Sequence, residues 1–217
     1  MKELKMSILF CVLTFFTAQL KSETVVSNLG AADNGFMQVA NDIWLGVEFT
    51  TDNHSFLLDS ITLRAEAYQN KGTFSVNIFS SAGSGIPGSL VSGGHLQGIN
   101  PVSNGLYTFS ATSTLELAPL TSYYLVVGVD PFGGYNPDYG QFMWRLGTQP
   151  ASGNWAVSPN VLWDHPDYGW FVTYQNLTPV LAINATVVPE PSIGCLLVIA
   201  GIILAVFGRR TNWVPLR

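Results

Sequence analysis

Apolar and polar positions alternate through the middle of the chain with the period of a half-buried strand. Ile61, Leu63, Ala65 and Ala67 alternate with Thr62, Arg64 and Glu66, and a period of two places each set on one face. The pattern recurs at Phe74, Val76 and Ile78, at Tyr107 and Phe109, at Tyr123, Leu125, Val127 and Val129, and at Phe142, Trp144 and Leu146. Residues 170–174 and 180–183 supply the last strands. Between these runs lie clusters of Gly, Pro, Asn and Ser at 81–89, 93–94 and 130–139, the residues that turns require. No stretch of the body keeps a helical period. Short strands about 8–12 residues apart predict an all-β fold, an antiparallel β-sandwich of jelly-roll-like form.

The two ends follow a different rule. Lys2 and Lys5 precede an apolar run over 6–18, and polar residues follow over 19–23. That is the layout of a secretory signal peptide, here assigned to residues 1–22. At the other end, Val188-Pro189-Glu190-Pro191-Ser192 leads into an uncharged apolar segment, 193–207, closed by Gly208, Arg209 and Arg210. Two prolines exclude a helix interior and make the Pro-Glu-Pro step an extended breaker. The segment after it is short against the roughly 20 residues of a spanning helix. Counting Ser192 and Gly208, with the arginines snorkelling, it reads as a transmembrane helix with Arg209 and Arg210 as its stop signal.

This tail, residues 188–217, resembles the C-terminal sorting signal of PEP-CTERM proteins. The resemblance implies recognition of Pro189, Glu190, Pro191 and Ser192 by an exosortase-type processing enzyme. The destination it implies is the cell envelope, cell surface or extracellular matrix, reached through a membrane-anchored precursor.

With the ends assigned, the body spans 23–187. Across residues 23–188 there are twelve acidic residues against three basic ones, Arg64, Lys71 and Arg145, a net of −9. A body of that charge has no footprint for nucleic acid. Cys11 and Cys195 both fall in the terminal segments, so the body holds no disulfide and no thiol nucleophile, and packing alone must stabilise it.

A second resemblance covers most of the body. Glu48-Phe49-Thr50-Thr51, Leu58-Asp59-Ser60-Ile61-Thr62-Leu63, Gly72-Thr73-Phe74-Ser75-Val76, Ile86-Pro87-Gly88-Ser89-Leu90 and Tyr107-Thr108-Phe109 occur in that order. They end in the long run from Leu117-Ala118-Pro119-Leu120 to Leu125-Val126-Val127. The series resembles the choice-of-anchor R domain, a β-rich bacterial surface module. What the resemblance implies is an exported, anchored domain; it brings no catalytic residues.

Candidate chemistry changes this picture little. A Gly-x-Ser-x-Gly elbow, a His-Glu-x-x-His pair and a Ser-x-x-Lys pair are all missing, so no enzyme is expected. Asp164-His165-Pro166-Asp167 could orient an imidazole, but Pro and Asp are also ordinary turn residues. Asp130, Asp138, Asp164 and Asp167 offer hard oxygen ligands of the kind structural calcium uses, and the same loops serve equally as solvated turns. No other cofactor is expected. Eleven of the 27 aromatic residues fall between Phe132 and Tyr174. Trp155, Trp163 and Tyr168 stand in loop-like sequence, and these three are expected to be exposed for stacking against a ligand. The role expected is structural or adhesive, with exopolysaccharide as a partner. The alternatives are a carbohydrate-binding surface module and a secreted hydrolase with two converging carboxylates.

Overall fold

The structure, a computed structural model, describes residues 21–189 apart from 70, 132, 135, 137, 139, 148 and 175–177. The signal peptide, Glu190, Pro191, Ser192, the apolar segment 193–207, Arg209 and Arg210 lie outside the described residues, save for residues 21 and 22. Among the described residues no helix is long and apolar enough to cross a membrane.

The body is all-β and antiparallel. Its strands are β1 (Ser22–Ser27), β2 (Asp33–Ala40), β3 (Trp44–Thr50), β4 (Phe56–Gln69), β5 (Thr73–Ser81), β6 (Pro87–Gln97), β7 (Gly105–Ala111) and β8 (Glu116–Leu117). They continue as β9 (Ser122–Asp130), β10 (Gln141–Gly147), β11 (Ser152–Gly153), β12 (Ala156–His165), β13 (Gly169–Tyr174), β14 (Thr178–Pro179) and β15 (Leu181–Val187). One hydrogen-bonded path runs β11-β1-β15-β4-β7-β6-β5-β9-β3-β12-β13, with β10 joined to β4, β2 and β14. The sheet curls so that its two halves share one core.

The alternation seen in the sequence selects the inward side chains. Ile61, Leu63 and Ala65 of β4 are fully buried, as are Phe142, Trp144 and Leu146 of β10. From the other half come Leu45, Val47 and Phe49 of β3, Val76 and Ile78 of β5, and Leu125 and Val127 of β9. Rings meet across the halves, Phe74 standing 5.2 Å from Phe142 at an interplanar angle of 61°. That edge-on geometry suits the aromatic quadrupoles.

Trp155 corrects one expectation. It is 3% exposed, stacked on Phe49 at 5.6 Å and 4° and edge-on to Phe56 at 4.9 Å. The loop carrying it is pinned from below. β11 pairs with β1, and the Asn154 amide donates to the Val25 carbonyl at 2.8 Å. The polar residues just before Trp155 therefore face out while its indole is drawn into the core.

Candidate ligand-binding cleft on the outer sheet face

Strand β9 is buried on both faces, every residue from Tyr123 to Val129 being covered. Tyr123, Leu125, Val127 and Val129 point to the core, so Tyr124 and Val126 point outward. A strand this apolar on two sides needs a cover on each. The outer cover is a second apolar cluster of Tyr124, Val126 and Leu162, flanked by Trp44, Phe79 and Trp170. Two glycines make room for the indoles. A Cβ at Gly46 would meet the Trp170 ring at 3.0 Å, and one at Gly128 would collide with the ring of Trp44. Glycine inside an otherwise branched strand marks such a close approach, a signal that the sequence reading did not use.

Beside the cluster lies a cleft of about 290 Å³. Glu48 and Tyr124 form its floor, placed side by side because they are direct partners across β3 and β9. Leu162 and Val172 make an apolar wall and are likewise cross-strand partners. The pairing of β12 with β3 shifts register between Val157 and Val161. That irregularity lifts Ser158 and Asn160 out of the ladder and onto the rim, where the Asn160 backbone amide donates to the Ser158 hydroxyl at 3.1 Å. The last rim piece is the β5–β6 hairpin tip, Ser84 and Gly85. Gly83 and Gly85 both sit at φ +77°, a turn conformation that glycine adopts without strain. Pro87 follows, 3.7 Å from the Gly46 Cβ position, so the hairpin arches over the sheet.

The electrostatics of the floor are one-sided. Burial pushes the Tyr124 phenol up to about 12, with the Glu48 charge adding to the rise, so the ring keeps its proton at any ordinary pH. Tyr124 is 1% exposed, yet its hydroxyl makes no hydrogen bond to a described residue, nor does the half-buried carboxylate of Glu48. Among the described residues, no lysine or arginine lines the cleft. Such a site offers one proton donor, one carboxylate acceptor, rim hydroxyl and amide groups, and an apolar wall.

The expected stacking residues do not converge here. Trp155 is in the core. Trp163 is half-buried against the core, and Tyr168 is 79% exposed on the β12–β13 turn. Trp163 belongs to a ladder of rings, 4.9 Å from Phe171 and 6.2 Å from His165, which in turn stands 5.2 Å from Tyr168. Trp163 and Phe171 pair with each other one position along from Leu162 and Val172, so the ladder runs on the face opposite the cleft.

His165 ends β12 at the edge of the turn. Its Nδ1 accepts the Asp167 amide at 3.2 Å and stands 3.7 Å from the Asp167 carboxylate. Asp164 pairs with Trp44 and Trp170 on the neighbouring strands and points away from His165. Its carboxyl is raised by burial, against the opposing pull of the His165 amide and ring. Among the described residues, no three His, Cys, Asp or Glu side chains converge as a metal site; Asp138 faces Lys71 at 3.9 Å instead.

No protein-family model matches the chain, and no curated protein matches it in sequence.

Proposed function

We propose that this chain is an exported bacterial surface or extracellular-matrix protein, sorted by its C-terminal signal and structural or adhesive in role. The observation that carries this reading is the junction of body and tail. β15 ends at Val187, and the Val188 amide is held by the Ser55 carbonyl at 2.8 Å. Pro189 follows at once and is exposed. Glu190, Pro191 and Ser192 then lead to the apolar segment 193–207 and to Arg209 and Arg210. A proline-rich sequence that begins at an exposed residue just after the last strand is one that a processing enzyme can grip.

The body is a jelly-roll-like β-sandwich in this reading, supported by the way rings from both halves of the curled sheet meet in one core. A net charge of −9 across 23–188 suits a solvated outer location. The partners are an exosortase-type enzyme, the membrane through the C-terminal helix, and exopolysaccharide at the destination.

The test is the C-terminal peptide of the native protein, read by mass spectrometry in envelope and medium fractions. A terminus between Pro189 and Ser192, with nothing beyond Arg209, is expected. An intact Arg217 terminus confined to membranes would overturn processing.

A further inference from the structure

We propose that the outer-face cleft bounded by Glu48, Tyr124, Ser158, Asn160, Leu162 and Val172 binds a single neutral sugar ring of a glycan chain. It deepens the adhesive reading by naming a ligand class, and it does not depend on how the tail is sorted.

The argument begins with size. A cleft of about 290 Å³ stands at the lower edge of small-ligand sites, which run from about 300 to 1,000 Å³. One ring fits, and a long stretch of chain would have to lie mostly outside it.

Polarity narrows the choice. A wholly apolar guest would leave the Glu48 carboxylate and the Tyr124 hydroxyl, which opens on the cleft, without water or partner, which is costly. An anionic guest such as a phosphate or a uronate would meet Glu48 with no cation among the described lining residues to offset it. A pyranose has what the site lacks. Its vicinal hydroxyls donate to both oxygens of one carboxylate, a charge-assisted pair. Its ring oxygen and a neighbouring hydroxyl oxygen accept from the Tyr124 phenol and the Asn160 side-chain amide. Its C–H face lies against Val172, which is 50% exposed and whose apolar surface needs cover.

Preorganisation adds to the case. Tyr124 is locked by full burial, Leu162 is 5% exposed, and Trp170 packs against the cluster to which both belong. A floor already rigid loses little entropy on binding.

The experiment uses the full chain in a zwitterionic detergent without sugar groups. Saturation-transfer NMR and titration are run with the methyl glycosides of glucose, mannose and galactose, with glucosamine and glucuronate as charged controls. At least one neutral glycoside is expected to bind and glucuronate to be rejected. Tyr124→Phe keeps the buried ring and removes only the hydroxyl, and Asn160→Ala trims the rim; each should weaken binding about ten-fold with the melting temperature nearly unchanged. Three outcomes would each overturn the proposal: no neutral glycoside binds, binding is unaltered in both variants, or glucosamine alone binds and is lost in Glu48→Gln. The last would mark a cation site. Because the tail plays no part in this assay, its result and that of the terminal-peptide measurement fail separately.

Discussion

The indole of Trp44 occupies the space that a side chain at Gly128 would need, ring against backbone on adjoining strands. Trp44 heads β3 and Gly128 sits in β9, so the contact closes one end of the outer-face cluster. Gly128→Ala forces the ring out of its place. Overpacking of this kind costs about 1–3 kcal/mol. Urea unfolding should show that loss, with a red-shifted tryptophan emission in the folded protein. An unshifted midpoint would mean that the indole can move freely.

Trp155 links the two halves of the sheet, lying parallel to Phe49 of β3 and edge-on to Phe56 of β4. Truncating a large buried ring costs about 3–5 kcal/mol, so Trp155→Ala should leave the body near its unfolding threshold. Trp155→Phe retains an aromatic ring and should cost clearly less. Equal losses in the two variants would show that stacking contributes nothing beyond the indole's bulk.

How far these features were legible in the sequence depends on whether neighbours in space were neighbours in the chain. β4 and β10 could be read because each presents one side to the core, and a period of two records that directly at Ile61, Leu63 and Ala65 or Phe142, Trp144 and Leu146. Trp155 was misread because its local setting, Ser152-Gly153-Asn154, is polar, while the contacts that bury it come from Val25, Phe49 and Phe56. The cleft was not legible at all. Glu48, Ser84, Tyr124 and Asn160 meet only through strand order and through a register shift in β12, and neither leaves a mark in hydrophobic periodicity. Ser75 and Asn77 make the same point. Alternation assigns them to a wet face, yet they are 1% and 5% exposed, with Asn77 hydrogen-bonded to His95 at 2.7 Å.

Arg145 is the basic residue on which the opposite half depends. It pairs with Glu66, stands 3.5 Å from the Asp33 carboxylate and lies over the Phe36 ring at 5.6 Å. Its side chain is 18% exposed, against 31% for Glu66. Arg145→Met would leave two carboxylates facing each other without a cation. The expected loss is about 1–3 kcal/mol, below the 3–5 of a fully buried pair, because both acids still reach water. Glu66→Gln in the same background should recover part of it. A double variant no more stable than Arg145→Met alone would show that repulsion at Glu66 is not the cause.

Tyr124 ties stability to pH in the alkaline range. Its phenol is pushed up to about 12 in the folded protein by burial and by Glu48, against about 10 in an unfolded chain. Between those values the native state keeps a proton that the unfolded state has released, so raising the pH favours unfolding. The contribution is complete below pH 10 and is lost progressively as pH rises through 12. Two units correspond to roughly 2–3 kcal/mol, toward the lower figure because the hydroxyl opens on the cleft. Urea midpoints at pH 9 and pH 11.5 should therefore diverge more in the native protein than in Tyr124→Phe, which has no phenol to ionise at that position. Phenolate absorbance at 295 nm should show one tyrosine titrating late in the native chain and missing from the variant. Identical pH dependence in the two proteins would mean that the phenol ionises in the folded state as readily as in the unfolded one, and that the floor of the cleft is wetter than its burial implies.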